Sequence, residues 1–332
     1  ELLKALKQDL RALKRKYGDD RRTRIQTDVE AATEKVIPLS PPAENEPVQL
    51  ELSQKGYVRW IPSRRRARQQ EVNQLSEKLE ESSQDLPIYT RSAVLSERLL
   101  VFTSGAKGYG VNLEDIPGST GRDRGTPLIT LLSDSVQSDT VVTQYMASDY
   151  ATADRFVFLT QQGRLKWLPV SDFDDLTGRG LGALKLKDDD QLQFVVPATA
   201  DSEIAIATSS GRLLRFPLNE VPEMGRPALG NQVLRLLKQE TLVGLAAFTG
   251  EMDVLLVSQS GYAKRLPIGL IRLGHPGGLG SPAMQFATKS DRLIGVVPVM
   301  ENAELLIRSD QNRIACLNPQ NIQVSAKEGA GV

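Results

Sequence analysis

Few side chains in this sequence could do bond-making chemistry, and their spacing excludes most of it. Cys316 and His275 are the only cysteine and histidine in 332 residues. One thiol makes no internal disulfide, which points to a reducing compartment. Together the two fall short of a zinc ligand set. A Ser-His-Asp relay would have to use His275, which lies in the turn sequence Gly274-His275-Pro276-Gly277-Gly278 and reads as a loop residue. Asp188-Asp189-Asp190 invites a metal but reads as a polar surface turn. Gly105-Ala106-Lys107-Gly108-Tyr109-Gly110 and Gly178-Arg179-Gly180-Leu181-Gly182 resemble phosphate loops in composition alone. Neither ends in Gly-Lys-Ser/Thr or lies between a strand and a helix. What recurs instead is positive charge at regular intervals. That suits neutralising an evenly charged polymer.

The interval comes from a repeat of about fifty residues. An apolar strand runs into a short turn centred on position 56, 106, 163, 211, 261 or 312, and a second strand follows. Pro62, Pro169, Pro217 and Pro267 lie six residues past the turn, with Pro319 one later. Gly125, Gly182, Gly230, Gly280 and Gly331 lie nineteen past it. Glycine at such turns supplies positive φ for a hairpin. Within the repeat, Glu203-Ile204-Ala205-Ile206-Ala207 predicts a first strand and Gln232-Val233-Leu234-Arg235-Leu236 a third. Leu242 to Phe248 predicts a fourth. Four strands per unit and six units predict an all-β, six-bladed propeller-like disc over 47–332, its last repeat incomplete. The continuous apolar first strands fit blades buried on both faces.

Ahead of the repeats, Leu3, Leu6, Leu10, Leu13 and Tyr17 form a 3-4 seam that predicts an amphipathic, coiled-coil-type helical arm over 1–25, in need of a partner. The proline-bearing stretch 26–46 reads as a linker. Hydrophobic residues make up 40% and charged residues 25%, and no apolar run approaches a membrane span. The opening Glu1 is read as a piece of a longer chain. The formal net charge is zero, but residues 1–68 hold 16 Lys/Arg against 10 Asp/Glu. Any polyanion contact therefore rests on local clusters.

Leu10-Arg11-Ala12-Leu13-Lys14-Arg15-Lys16-Tyr17-Gly18-Asp19-Asp20-Arg21-Arg22-Thr23 resembles the descending tower helix of bacterial type IIA topoisomerase A subunits. The six repeats resemble the C-terminal β-pinwheel of gyrase A and topoisomerase IV A subunits. The resemblance implies a disc that binds and bends or wraps double-stranded DNA on a basic rim. It implies an A-subunit homodimer, a partner B-type subunit that turns over ATP with Mg2+, and a catalytic tyrosine upstream of Glu1. No cofactor is expected within this chain, and a cytoplasmic, nucleoid-associated location with no membrane contact is implied. The sequence departs from the gyrase pattern in one place. Where a Gln-Arg-Arg-Gly-Gly-Lys-Gly-type box is expected, it reads Gln69-Gln70-Glu71-Val72-Asn73-Gln74-Leu75.

Two sets of cations are the expected DNA contacts. The second-strand set is Arg59, Lys107, Lys166, Arg215, Lys264 and Arg265, expected to point outward together. The loop set before the second glycine is Arg122, Arg124, Arg179 and Arg226. Arg64, Arg65, Arg66 and Arg68 add a cluster beside the altered box. Trp60 and Trp167 read as packing between blades. The competing reading of the repeats is a propeller that binds proteins. It draws on the net charge of −6 beyond residue 68.

Overall fold

The computed structural model describes residues 2–17, 47–63, 85, 87–119, 123–132, 139–176, 179–187, 189–300, 305–309, 314–327, 329 and 331. The linker, Arg64, Arg65, Arg66, Arg68, Arg122, the altered box at 69–75 and the sixth turn all lie outside them. The chain divides into two units, Glu1–Ser40 and Pro41–Val332.

In the first unit, α1 (Leu2–Tyr17) is a single helix. Its Leu6, Leu10 and Leu13 are all more than half exposed. Spaced three and four apart they share one face, so this part of the seam stands uncovered. The expected coiled-coil pairing is not among the described contacts.

The second unit is all β. The first repeat gives β1 (Val48–Ser53), β2 (Tyr57–Pro62) and β3 (Pro87–Ala93). The second gives β4 (Arg98–Thr103), β5 (Lys107–Asn112), a two-residue β6 (Thr126–Pro127) and β7 (Val141–Met146). The third gives β8 (Arg155–Thr160), β9 (Arg164–Pro169), β10 (Leu181–Gly182) and β11 (Leu192–Ala198). The fourth gives β12 (Glu203–Thr208), β13 (Arg212–Pro217), β14 (Asn231–Gln232) and β15 (Leu242–Phe248). The fifth gives β16 (Asp253–Ser258), β17 (Ala263–Pro267), β18 (Ser281–Pro282) and β19 (Leu293–Pro298), and the sixth β20 (Leu305–Arg308) and β21 (Ile314–Leu317).

Strand order shows where the repeat and the blade part company. The sheets run β3-β1-β2-β6, β7-β4-β5-β10, β11-β8-β9-β14 and β15-β12-β13-β18. In each, the fourth strand comes from the following repeat. The third strand expected at 232–236 is thus only Asn231–Gln232, and it completes the preceding blade by pairing with β9. Among the described residues the fifth blade is the three-stranded β17-β16-β19, and the sixth repeat is the pair β20-β21. The expected six-bladed disc is therefore met as a propeller-like ring of five blades and a hairpin, because β21 and β20 have no further strand beside them here. The last strands of successive blades touch in series, β7 to β11, β11 to β15 and β15 to β19.

The first strands β8, β12 and β16 are buried at every position after the first, as blades covered on both faces require. Their side chains alternate between two clusters. Ile204 and Ile206 face the third repeat with Val157 and Leu159, while Ala205 and Ala207 face the fifth with Val254 and Leu256. The core therefore lies between blades, and no repeat buries its surface alone.

Two kinds of left-handed turn set the period. At the hairpins, Gly56, Gly163, Gly211 and Gly261 have φ between 79° and 92°, and Ala106 takes the same place at 57°. Just before each crossing strand stands the second glycine. A Cβ on Gly125, Gly230, Gly280 or Gly331 would lie 2.5–2.9 Å from a carbonyl oxygen of the preceding repeat. Only glycine permits both that approach and the positive φ. In the third repeat the residue is Gly180 (φ 71°), whose Cβ would strike the Tyr109 ring, and not Gly182, which meets nothing. The structural glycine here stands two residues nearer the turn than in the other repeats, and the match at nineteen residues was a coincidence.

Candidate nucleic-acid interface

The second strands carry the expected outward cations three or four residues past the turn, save Lys107, which stands one past it. Most of them turn into the joints between blades. Arg59 gives Nε and Nη2 to Glu51 at 3.0 and 2.8 Å and Nη1 to the Asp123 carbonyl. Arg215 pairs with Glu203, directs Nη1 to the Ile268 and Ile271 carbonyls at 3.1 and 3.3 Å, and lies over the Phe248 ring. Arg265 pairs with Asp253 at 2.7 Å and donates to the Gln320 carbonyl at 3.0 Å. Each of these carboxylates is on the neighbouring strand of the same blade, and each carbonyl belongs to the next repeat.

Lys166 and Lys264 are buried outright, with 1% and 0% of their surface exposed. Lys166 Nζ donates to the carbonyls of Ala183 and Arg226 at 2.7 and 2.8 Å. Burial, and then the Arg226 charge, lower its ammonium from 10.5 to about 8, against a smaller raising by Asp172. Lys264 Nζ donates to the carbonyls of Ala283, Lys327 and Gly329. Burial lowers it as well. These two were expected on the outer surface. The physical reason for the difference is that the next repeat's loop closes over the strand, so that each ammonium lies between its carbonyls and one from the lysine's own repeat, Ala183 or Ala283. Trp60 and Trp167 also join blades. Their indole N–H groups reach the Ile116 and Val221 carbonyls at 2.7 and 3.0 Å.

The loop set behaves differently. Arg124 is exposed and lies over the Tyr57 ring at 5.4 Å. Arg179 and Arg226 are exposed and Lys107 half-buried, with no ion pair among the described residues. Counting from the positive-φ glycine shows a pattern that the hairpin offset hid. Arg124 and Arg179 directly precede Gly125 and Gly180. Arg226 and Lys327 stand four before Gly230 and Gly331. Lys185 and Arg235, both exposed, stand five after Gly180 and Gly230. The Lys185 amide donates to the Ala228 carbonyl at 3.1 Å, so that loop lies beside the Arg226 loop. Lys185 and Arg235 escaped the sequence reading because its alignment drifted by two residues in the third repeat.

The acids have separate work. Asp85, Asp139, Asp190, Glu240 and Asp291 each accept hydrogen bonds from a hairpin of the same repeat, for example Lys55 N to Asp85 at 2.8 Å and Gln162 N to Asp190 at 3.1 Å. Asp190 is buried, not a surface-turn residue as expected, and is no metal ligand by arrangement. The described residues contain no group of three or more His, Cys, Asp or Glu placed to hold a metal. Burial would raise the Glu240 carboxyl, but Arg212, the Leu237 amide and the Ser210 hydroxyl outweigh it and hold it at about 2. His275 is an exposed loop residue with Nδ1 2.8 Å from Glu220.

Closed blades with strands exchanged between repeats and bare cations on the crossing loops define a β-propeller of the pinwheel kind. Residues 97–137, 154–199, 202–249 and 253–300 match the family model for the DNA gyrase C-terminal domain, beta-propeller, and the chain belongs to that family. The DNA gyrase A protein of Staphylococcus epidermidis is 26% identical over 338 residues, spanning all of this chain and 37% of that protein. The DNA topoisomerase 4 A protein of Synechocystis is 33% identical over 313 residues, spanning 89% of this chain and 32% of that protein. The chain thus spans about a third of the length of these relatives. In fold it matches the solved C-terminal domain of DNA topoisomerase IV at a TM-score of 0.72, with 18% identity over 86% of this chain and 88% of that one. The DNA gyrase A C-terminal domain gives 0.62 at 18% identity, over 86% and 94%. No helix among the described residues is long and apolar enough to cross a membrane.

Proposed function

We propose that residues 47–332 are the DNA-gripping and DNA-bending disc of a type IIA topoisomerase A subunit. They would present a duplex segment to a core that passes it through a break. The membership of the family carries this reading, and the bare cations on successive crossing loops support it. Lys107, Arg124, Arg179, Arg226, Lys185 and Arg235 are the proposed phosphate contacts. Arg64, Arg65, Arg66, Arg68 and Arg122 join them on the sequence alone. Arg59, Lys166, Arg215, Lys264 and Arg265 act behind them, holding one blade to the next. The core's tyrosine cleaves DNA in the whole protein, an A-subunit homodimer. ATP and Mg2+ act through the partner B-type subunit, so this chain cleaves nothing by itself. A duplex-binding role places it in the cytoplasm at the nucleoid.

A curved row of phosphate contacts with no base readout bends DNA independently of sequence. Bending is the reading without wrapping, since Gln69 to Leu75 lacks the charges and glycines of the gyrase box. The test is nick closure: nicked plasmid ligated with rising amounts of this chain at low salt, the linking number read on a gel. Binding that falls steeply with salt and leaves linking number unchanged is expected. A handed shift would replace bending by wrapping. Weak, salt-insensitive binding by the folded chain would overturn the reading in favour of a protein-binding propeller.

A further inference from the structure

Three residues past the hairpin turn, the second strands carry Arg59, Tyr109, Lys166, Leu214 and Lys264 in blades one to five. Cations occupy the odd blades and uncharged residues the even ones. Leu214, buried like the lysines, shows that the fold accepts an apolar side chain at this place. A buried cation without a carboxylate is costly, and an apolar replacement is often neutral or better. Among the described residues neither lysine has a carboxylate within ion-pair distance. Stability therefore does not explain them.

Their partners suggest what does. Each ammonium holds the carbonyl of the residue four before the next repeat's left-handed glycine, and that residue is itself a cation: Arg226 above Lys166, Lys327 above Lys264. Beneath an uncharged residue the same loop position holds none, Leu176 above Tyr109 and Pro276 above Leu214. In the first blade Arg59 holds the carbonyl of Asp123, in the loop that carries Arg124. At Lys166 the Arg226 charge bears on the buried ammonium and outweighs the opposing Asp172, an excess of positive charge that an anion at the loop would relieve.

We propose that Lys166 and Lys264 are positioning residues that set the Arg226 and Lys327 loops as phosphate grips, so that braced grips recur at alternate blade boundaries while the cations of the loops between, such as Arg179, meet phosphate without such a brace. This rests on the DNA-binding reading and adds a two-blade period to it. The charged groups facing Lys166 are Arg226, from the fourth repeat's loop, and Asp172, from the turn after β9. Its ammonium is lost as pH rises through about 8. The grip then weakens.

The experiment measures duplex affinity of the full chain against pH and salt for Lys166→Met, Arg226→Ala and the double variant, with thermal unfolding as the folding control. Wild type is expected to lose affinity several-fold between pH 7 and 9. Lys166→Met should bind about as weakly as Arg226→Ala, respond less to pH over that range, and add little in the double variant. Lys264→Met with Lys327→Ala repeats the cycle at the other boundary, should Lys166→Met fail to fold. Additive losses, or Lys166→Met binding like wild type beside a weakened Arg226→Ala, would overturn the grip while leaving DNA binding intact. Failure of the wild-type chain to bind duplex would overturn both.

Discussion

Two kinds of joint hold this ring together, and they meet the same demand by opposite chemistry. Four residues past the turn, blades one and three present Trp60 and Trp167, while blades four and five present Arg215 and Arg265. All four donate to a carbonyl in the short helical turn that ends the next repeat's second strand, or just beyond it. The first-strand residue opposite the proline two positions on changes with them. It is Glu203 or Asp253 beside the arginines, Val48 in the blade of Trp60, and Arg155, which lies over the Trp167 ring at 4.2 Å. Blade two moves the donor across the pair. Gly110 takes the place of tryptophan, and Arg98 fills the space above it and reaches the Asp174 carbonyl at 3.1 Å. What the repeat preserves is a donor at one point in space. An indole brings its own apolar surface, whereas a guanidinium needs a carboxylate to offset its charge.

The largest break in this comparison should come at the tryptophan joint. Trp60→Ala removes a buried ring packed against Gly118 and strands the Ile116 carbonyl, so urea unfolding should show a loss of about 3–5 kcal/mol. Acid should attack the arginine half next. Glu240 accepts from Arg212, which also donates to the Leu279 carbonyl of the fifth repeat. Its depressed folded value means the stabilisation is full above the ordinary 4.5 and disappears as pH falls towards about 2. Stability measured down that window should drop by about 2 kcal/mol, and Glu240→Gln should flatten the drop. Glu203→Ala leaves Arg215 its carbonyls but no counter-charge. For a pair partly open to water the loss is about 1 kcal/mol, and smaller in 1 M salt, while Trp60→Ala should cost the same at either ionic strength. The smallest effect should come from exchange of kind. Glu203→Arg with Arg215→Trp rebuilds the third blade's joint in the fourth, and its unfolding midpoint should stay within about 1 kcal/mol of wild type.

The first and fourth strands were legible because their burial is settled within the repeat. Glu203–Thr208 and Leu242–Phe248 lie within a residue of where their apolar runs predict. The hairpin glycines were legible because positive φ leaves few alternatives. The crossing strands were not. Two residues such as Asn231–Gln232 carry no periodicity, and their partner is in the preceding blade. The site divides along the same line. Arg124, Arg179 and Arg226 are exposed on their loops, where charge in the sequence already suggests exposure. Lys166 and Lys264 look like their exposed neighbours in sequence. They are covered by a loop roughly sixty residues away, and no local pattern carries that information.

The loan of one short strand by each repeat to the blade before it has a consequence for how such a chain can change. A stretch cut out between two equivalent hairpin turns removes parts of two blades, yet the ends it leaves are interchangeable. The next repeat's Gly-led strand arrives where the lost one would have docked. Unequal recombination between repeats can therefore shorten or lengthen the ring by whole units without uncovering an edge. The number of blades is open to drift in descent, while the pattern of each blade is not.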